Sequence, residues 1–119
     1  MKVAIPADSK NPDSAVSLSF GRAPLFMIHD TETGSWESLE NPAATAPGGA
    51  GVKAAQVLVD AGVSVVLAPR CGENAAEVLL AAGTDLHRTG KGSLAENLTA
   101  FEDGKLELLT DIHPGFHGH

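Results

Sequence analysis

Short glycine-rich turns stand directly before three segments of helical pattern, and they carry residue types that suit anion binding. The turns read APGGAG, APRCG and TGKGS, and the second and third each hold a cation. Glycine allows backbone N–H groups to approach a ligand closely, and a helix start carries partial positive charge that attracts anions. The pattern therefore predicts an anion-binding site built largely from backbone.

The candidate ligand-binding residues lie in these turns, at the helix starts after them, or in the long polar loop that follows the first predicted strand. They combine positive charge, glycine backbone, one thiol and one amide, and they are Arg22, Gly48, Gly49, Arg70, Cys71, Gly72, Asn74 and Lys91. Charged residues also collect in loops without any function, and that alternative stays open. The coincidence of cations with helix starts favours the anion site.

Cys71 is the single cysteine, and it lies between Arg70 and Gly72 at the start of a helical segment. A neighbouring arginine and a helix start both stabilise a thiolate, which is a ligand for soft metals. A small buried hydrophobe is the alternative. The following residues, GENAAEV, contain no arginine to close a phosphatase loop, and no CxxC pair exists. We expect Cys71 to line or ligate a soft metal centre; a nucleophile paired with His87 is a weaker hypothesis.

The C-terminal segment HPGFHGH places three histidines together as candidate metal ligands: His113, His117 and His119. Imidazole suits copper, nickel or zinc, and histidine-rich tracts often bind metal. An end without any metal-binding role is an equal alternative. We therefore divide the chain into a domain at residues 1–109 and a histidine-containing tail at residues 110–119.

The elements that must position these residues follow the order β-β-β-α-β-α-β-α. Apolar runs and turn residues predict strands, and 3.6-residue periodicity with glycine stops predicts helices. The strands are Lys2–Pro6, Leu25–Asp30, Ser35–Glu40, Val63–Ala68 and Thr84–Thr89, and the helices are Val52–Gly62, Glu73–Gly83 and Ser93–Phe101. Strands joined through helices should be parallel. We predict a mixed five-stranded α/β sheet flanked by helices, with an edge hairpin and a ligand site at the carboxyl ends of the strands.

Composition excludes several classes of function. The chain has 119 residues and a net charge of −7, which argues against nucleic-acid or anionic-membrane partners because phosphates need excess cations. One cysteine rules out an internal disulfide and a multi-cysteine zinc site. No apolar run reaches membrane-spanning length. A single cysteine fits a reducing cytosol, so a cytoplasmic protein is expected. The strand VSVVLA carries no carboxylate, which argues against a magnesium-dependent nuclease because such a site needs carboxylates on its strands.

Several segments resemble the nitrogenase iron–molybdenum cofactor-binding family. They are SFGRAPLFMIHD, the ENP after the hairpin, the glycine-rich loop and GENAAEVLLAAGTDLHRTGKGSLAENLTAF. The resemblance covers Met1 to about Leu108. It implies a single ribonuclease H-like domain at residues 1–109 without nuclease activity, and a protein that is not an enzyme. It further implies binding, carriage or insertion of an anionic metal–sulfur cluster, with cluster donor or acceptor proteins as partners.

For a small single-domain member, the resemblance implies a molybdenum–copper sulfide cluster held without covalent attachment, with an iron–molybdenum–sulfur cluster as the other possibility. The sequence departs from the family pattern at two places. Ser19 stands where many relatives have histidine, and Pro69, Arg70 and Cys71 replace glycines and an apolar residue. These changes add charge and a thiol at the expected site. The competing hypotheses are a regulatory domain that binds a phosphorylated metabolite and a cysteine-dependent enzyme.

Overall fold

The computed structural model describes residues 1–109, within which five strands form one mixed sheet. The strands are β1 (Lys2–Ala7), β2 (Leu25–Asp30), β3 (Trp36–Glu40), β4 (Val65–Ala68) and β5 (Asp85–Arg88), in the spatial order β3-β2-β1-β4-β5. β2 is antiparallel to both β1 and β3, whereas β1, β4 and β5 are parallel. The predicted element order, the edge hairpin and the mixed five-stranded α/β sheet are confirmed.

The helices are α1 (Ala50–Asp60), α2 (Glu73–Ala81) and α3 (Leu94–Glu102), and a short 3-10 turn spans Pro42–Thr45. Gly62 and Gly83, which follow the ends of α1 and α2, have φ angles of 79° and 82°, a conformation that glycine adopts without steric cost. The predicted glycine stops are therefore confirmed. Among the described residues, none of the helices has the length and apolar character needed to cross a membrane.

Two apolar clusters cover the two faces of the sheet. α1 and α2 pack on one face, over Ala4, Val66 and Ala68. α3 packs on the other face through Leu94 and Leu98. Because β1 and β4 are covered on both sides, almost every residue in them is buried, which explains why both strands are nearly continuous apolar runs.

A long segment between β1 and β2, residues 8–24, crosses the carboxyl ends of the strands from one face to the other; we call it the cross-loop. On the α3 face, Ser14 O accepts a hydrogen bond from Leu94 N at 3.0 Å. Above β1, Ser17 N donates to Pro6 O at 2.9 Å. On the α1 face, the ring of Phe20 packs against Phe26 with their centroids 5.4 Å apart. The cross-loop is thus tethered along its length.

The cross-loop meets α1 at Gly21, where there is no room for a side chain. A Cβ added to Gly21 would lie 2.7 Å from Gly51 N and 2.9 Å from Gly51 Cα. Gly51 in turn approaches α2, because its own added Cβ would lie 3.3 Å from Ala75 Cβ. Small residues therefore bring the cross-loop, the start of α1 and the start of α2 into one tight group.

Replacing Gly21 with alanine should destabilise the fold by about 1–3 kcal/mol, because backbone atoms would have to move to accept the methyl group. Gly48→Ala is the matched control, since a Cβ at Gly48 meets no atom within 4 Å. Urea unfolding of the two variants and the wild type gives the comparison. Equal stability of both variants would contradict the close approach of Gly21 to α1.

Candidate functional site at the carboxyl edge of the sheet

The carboxyl ends of the parallel strands and the helix starts that follow them share one edge of the sheet, which we call the carboxyl edge. Loops 41–49, 69–72 and 89–93 lie here with the cross-loop, because they follow β3, β4 and β5. Every predicted ligand-binding residue within residues 1–109 belongs to one of these loops or to the first turn of α2. The fold therefore brings these residues to one edge, but it divides them between the two faces of the sheet.

Arg22 supports the loop before α1. Its Nη1 donates hydrogen bonds to Ala44 O at 3.1 Å and to Ala46 O at 2.9 Å. Its backbone N–H is held by Ser19 Oγ at 3.0 Å, so the residue that departs from the family pattern stabilises this turn. The guanidinium remains exposed, yet its position is set by backbone carbonyls. Arg22 was predicted as a cation that binds the ligand. The structure shows that its side chain also holds the backbone of the loop before α1.

Asn41 is a second framework residue, and the sequence interpretation did not include it in the site. Its buried side-chain Nδ2 donates to Gly21 O and Ala23 O, both at 2.9 Å, while its Oδ1 accepts from Ala43 N at 3.0 Å. It therefore joins the cross-loop to the loop before α1. The sequence signal for this role is the Asn-Pro pair at a helical start, because Asn favours the N-cap position and Pro favours the first turn.

The starts of α1 and α2 have no side-chain caps. Their N-cap residues are Gly49 and Gly72, and neither provides a side chain for the backbone N–H groups of the first turn. Both glycines are exposed, and a Cβ on either would meet no atom within 4 Å. The first N–H groups of a helix have no partner within the helix, so donors without a side-chain cap remain at both of these neighbouring starts, although Gly51 N of α1 lies against Gly21 of the cross-loop.

The start of α3 is different, because the protein itself satisfies it. Ser93 and Glu96 form the predicted capping box. Leu94 N donates to Ser14 O at 3.0 Å, and Ala95 N donates to Pro12 O at 2.9 Å. The prediction that all three helix starts offer N–H groups to a ligand is therefore wrong for α3. The cross-loop supplies carbonyls at the position where a ligand would have bound.

Cys71 is buried beneath the exposed loop, with 2% of its surface accessible, among the apolar residues between the sheet and α2. Burial raises the pKa of the Cys71 thiol to about 11. Desolvation therefore opposes the thiolate that Arg70 and the helix start were expected to stabilise. In the part of the chain that the structure describes, no group of three or more histidine, cysteine or carboxylate side chains could hold a metal ion.

Exposed cations flank the uncapped helix starts. Arg70 and Lys53 are exposed, and within residues 1–109 neither side chain makes a hydrogen bond or an ion pair. Asn74 is exposed in the first turn of α2. Asp8 and Glu73 also lie at the carboxyl edge, so the positive charge is local and does not cover the whole edge. We call Gly48, Gly49, Arg70, Gly72 and Asn74 the helix-start surface.

Lys91 lies apart from the helix-start surface, on the α3 side of the carboxyl edge. It borders a cavity of about 430 Å³ lined by Ala15, Val16, Leu18, Pro69, Thr89, Gly90, Lys91 and Gly92, which we call the Leu18 cleft. Pro69 connects the two regions, because it lines the cleft and directly precedes Arg70. The predicted tail ligands His113, His117 and His119 lie outside the described residues.

The mixed α/β sheet thus places two uncapped helix starts, those of α1 and α2, at its carboxyl edge. The profile described as "Dinitrogenase iron-molybdenum cofactor" matches residues 1–104. The chain belongs to this family, as its sequence motifs indicate.

Relatives of known structure share the whole fold. The apo form of the orange protein from Desulfovibrio gigas matches with a TM-score of 0.87 and 31% identity, over 92% of each chain. The Thermotoga protein TM1290 of the DUF35 family matches with a TM-score of 0.80 and 45% identity, over 92% of this chain and 93% of that one. Protein MJ0580 of Methanocaldococcus jannaschii is 32% identical over 110 residues, 90% of each chain.

Alkaline pH should weaken folding through Cys71. The pKa of its thiol is about 11 in the folded protein against an ordinary value of 9.0, so the unfolded chain releases this proton first. The neutral thiol's contribution to the free energy of unfolding is fully present below about pH 9, and it is lost as the pH rises toward about 11. At about pH 10.5 the loss should be about 2 kcal/mol.

Urea unfolding of wild type and Cys71→Ala, each at about pH 8 and about pH 10.5, isolates this effect because lysine titration is common to both proteins. The wild type should lose more stability than the variant between the two pH values. An equal loss would show that the thiol is accessible to water in the folded protein.

Proposed function

We propose that this protein binds and carries an anionic metal–sulfur cluster on the helix-start surface and catalyses no reaction. The observation that carries the proposal is the pair of neighbouring uncapped helix starts at α1 and α2, beside the exposed cation of Arg70. Membership of the dinitrogenase iron-molybdenum cofactor family supports a metal–sulfur cargo.

The chemistry of such a cargo fits the residues present. A cluster with a sulfide shell already has its metal ions coordinated, so it needs no set of protein ligands. It needs hydrogen-bond donors and positive charge directed at its sulfur atoms. The starts of α1 and α2 supply N–H groups, with partial positive charge of about half a unit at each helix start. Arg70 adds a full charge, and Gly48, Gly49 and Gly72 let the sulfur atoms approach the backbone.

The finer identity of the cargo is part of the proposal. A molybdenum–copper sulfide cluster fits a site where charge and backbone donors replace direct ligands, and an iron–molybdenum–sulfur cluster is the other member of the same class. Cys71 forms the buried support beneath the loop and does not ligate. Lys91, from the neighbouring loop, adds to the attraction for anions. The cargo would come from a donor protein and pass to an acceptor protein.

The strand order β3-β2-β1-β4-β5, with β2 antiparallel to its neighbours, supports our assignment to the ribonuclease H-like folds. A cysteine-dependent enzyme, by contrast, would need an accessible thiolate. Cys71 is buried, and its thiol has a raised pKa. The described residues therefore favour a carrier over that alternative.

Replacing Arg70 with alanine should weaken retention of a cluster reconstituted from tetrathiomolybdate and copper by about 5- to 10-fold, because one charge-assisted contact contributes about 1 kcal/mol or slightly more. Lys105→Ala is the control, because it removes the same charge from the far end of α3. Visible-absorbance titration of both variants measures the affinities. Equal losses would mean that net charge, and not the helix-start surface, controls binding.

Cys71→Ala should still form the coloured complex with the same metal mixture, with an affinity within a few-fold of wild type, because sulfide completes the metal coordination without the thiol. The titration is done near neutral pH, after unfolding measurements have shown that the variant is folded. Complete loss of the coloured complex in a folded Cys71→Ala protein would make the thiol a direct ligand and overturn the proposed mode of binding.

A further inference from the structure

We infer that the Leu18 cleft is a second binding site, and that its ligand is a small organic molecule with one carboxylate and an apolar body. The cleft lies on the α3 side of the carboxyl edge, and of the residues proposed to bind the cluster only Lys91 lines it. This inference does not depend on the identity of the cluster or on whether the protein carries one.

The walls of the cleft are mainly apolar. Ala15, Val16 and Leu18 of the cross-loop line it together with Pro69. Its volume of about 430 Å³ lies within the range of small-molecule sites in proteins, which runs from about 300 to 1,000 Å³. Leu18 is 76% exposed, the largest exposed fraction among the large apolar side chains of residues 1–109. A ligand with an apolar body would cover this side chain.

The polar groups of the cleft suit one negative charge. Lys91 is exposed, and in the described part of the chain it makes no ion pair or side-chain hydrogen bond. The hydroxyl of Thr89 likewise has no hydrogen-bond partner within residues 1–109. An ammonium group and a hydroxyl can together bind both oxygens of a carboxylate. The nearby start of α3 adds no donors, because its N–H groups are already bonded. One ammonium group and one hydroxyl would therefore leave part of the charge of a doubly charged phosphate without a partner.

The cleft is formed without a ligand because both of its sides are held in place. Asn97 is buried, and its Oδ1 accepts from Gly90 N at 2.8 Å while its Nδ2 donates to Ser93 O at 3.0 Å. This fixes the loop that carries Lys91. Ala15 on the other side forms an antiparallel bridge with Ser93. Folding already orders these loops. Ligand binding therefore does not have to offset the loss of conformational entropy that ordering them would cost.

A second surface cavity provides an internal comparison. It has a volume of about 390 Å³ along α3 and is lined by Ala95, Glu96, Thr99, Ala100, Asp103 and Lys105. The size is similar and a lysine is present, but two carboxylates accompany that lysine. An organic carboxylate should therefore distinguish between the two cavities, whereas non-specific adsorption to lysine would not.

The test is a titration of nitrogen-15-labelled protein with 4-fluorobenzoate, hexanoate and phenylacetate, followed by amide chemical shifts. Saturable shifts are expected at Val16, Leu18 and the loop 89–92, and not at Lys105. The neutral isostere 4-fluorobenzamide should bind about tenfold more weakly than 4-fluorobenzoate. Saturation at the Lys105 cavity, equal binding of the amide, or no saturable binding of any of the three carboxylates would overturn the inference.

Matched variants separate the cleft from the general charge of the protein. Lys91→Gln should weaken binding of 4-fluorobenzoate about tenfold, and Lys105→Gln should leave it unchanged. Thr89→Val tests the hydroxyl in case Lys91→Gln alters the loop, and it should weaken binding several-fold. Equal effects of the two lysine variants would reject the site. Cluster binding by the same proteins is measured separately, by visible absorbance. A failure of carboxylate binding can therefore be distinguished from a failure of cluster binding.

Discussion

The backbone N–H groups at the start of a helix need partners, and the arrangement of the carboxyl edge depends on how this need is met at each helix. At α3 the chain meets it internally, through the Ser93–Glu96 capping box and the carbonyls of Pro12 and Ser14. At α1 and α2 the N-caps are glycines without side chains. The protein thus closes one helix start and leaves two neighbouring ones without side-chain caps, so uncapped backbone donors occur at α1 and α2 and not at α3.

The residues that make the sequence recognisable as a family member contribute mostly to the frame of the site. Phe20 packs in the core, Gly21 makes room for α1, and Arg22 holds the carbonyls of the loop before α1. Asn41 joins the same two segments. A site formed by backbone donors requires exact placement of loops more than any single side chain, which gives a physical reason for these residue types.

The order of strands and helices could be predicted from the sequence, because apolar runs, alternating patterns and glycine stops are local signals. The start of α1 was predicted at Val52 but lies at Ala50, since Gly49 adopts a left-handed conformation that no periodicity reveals. The capping of α3 by the cross-loop depends on contacts between residues distant in sequence. Burial of Cys71 follows from the packing of α2 on the sheet, so its local neighbours, Arg70 and Gly72, do not reveal it.

The cross-loop also has a consequence for the order in which the protein is made. The hydrogen bond between Ser14 O and Leu94 N joins residues about 80 positions apart in the sequence. Contacts of such separation form late, because a long stretch of chain must first be ordered. During synthesis, the segment that carries Ser14 leaves the ribosome long before α3 does. The capped start of α3, and with it the complete carboxyl edge, can therefore exist only after nearly the whole domain has emerged.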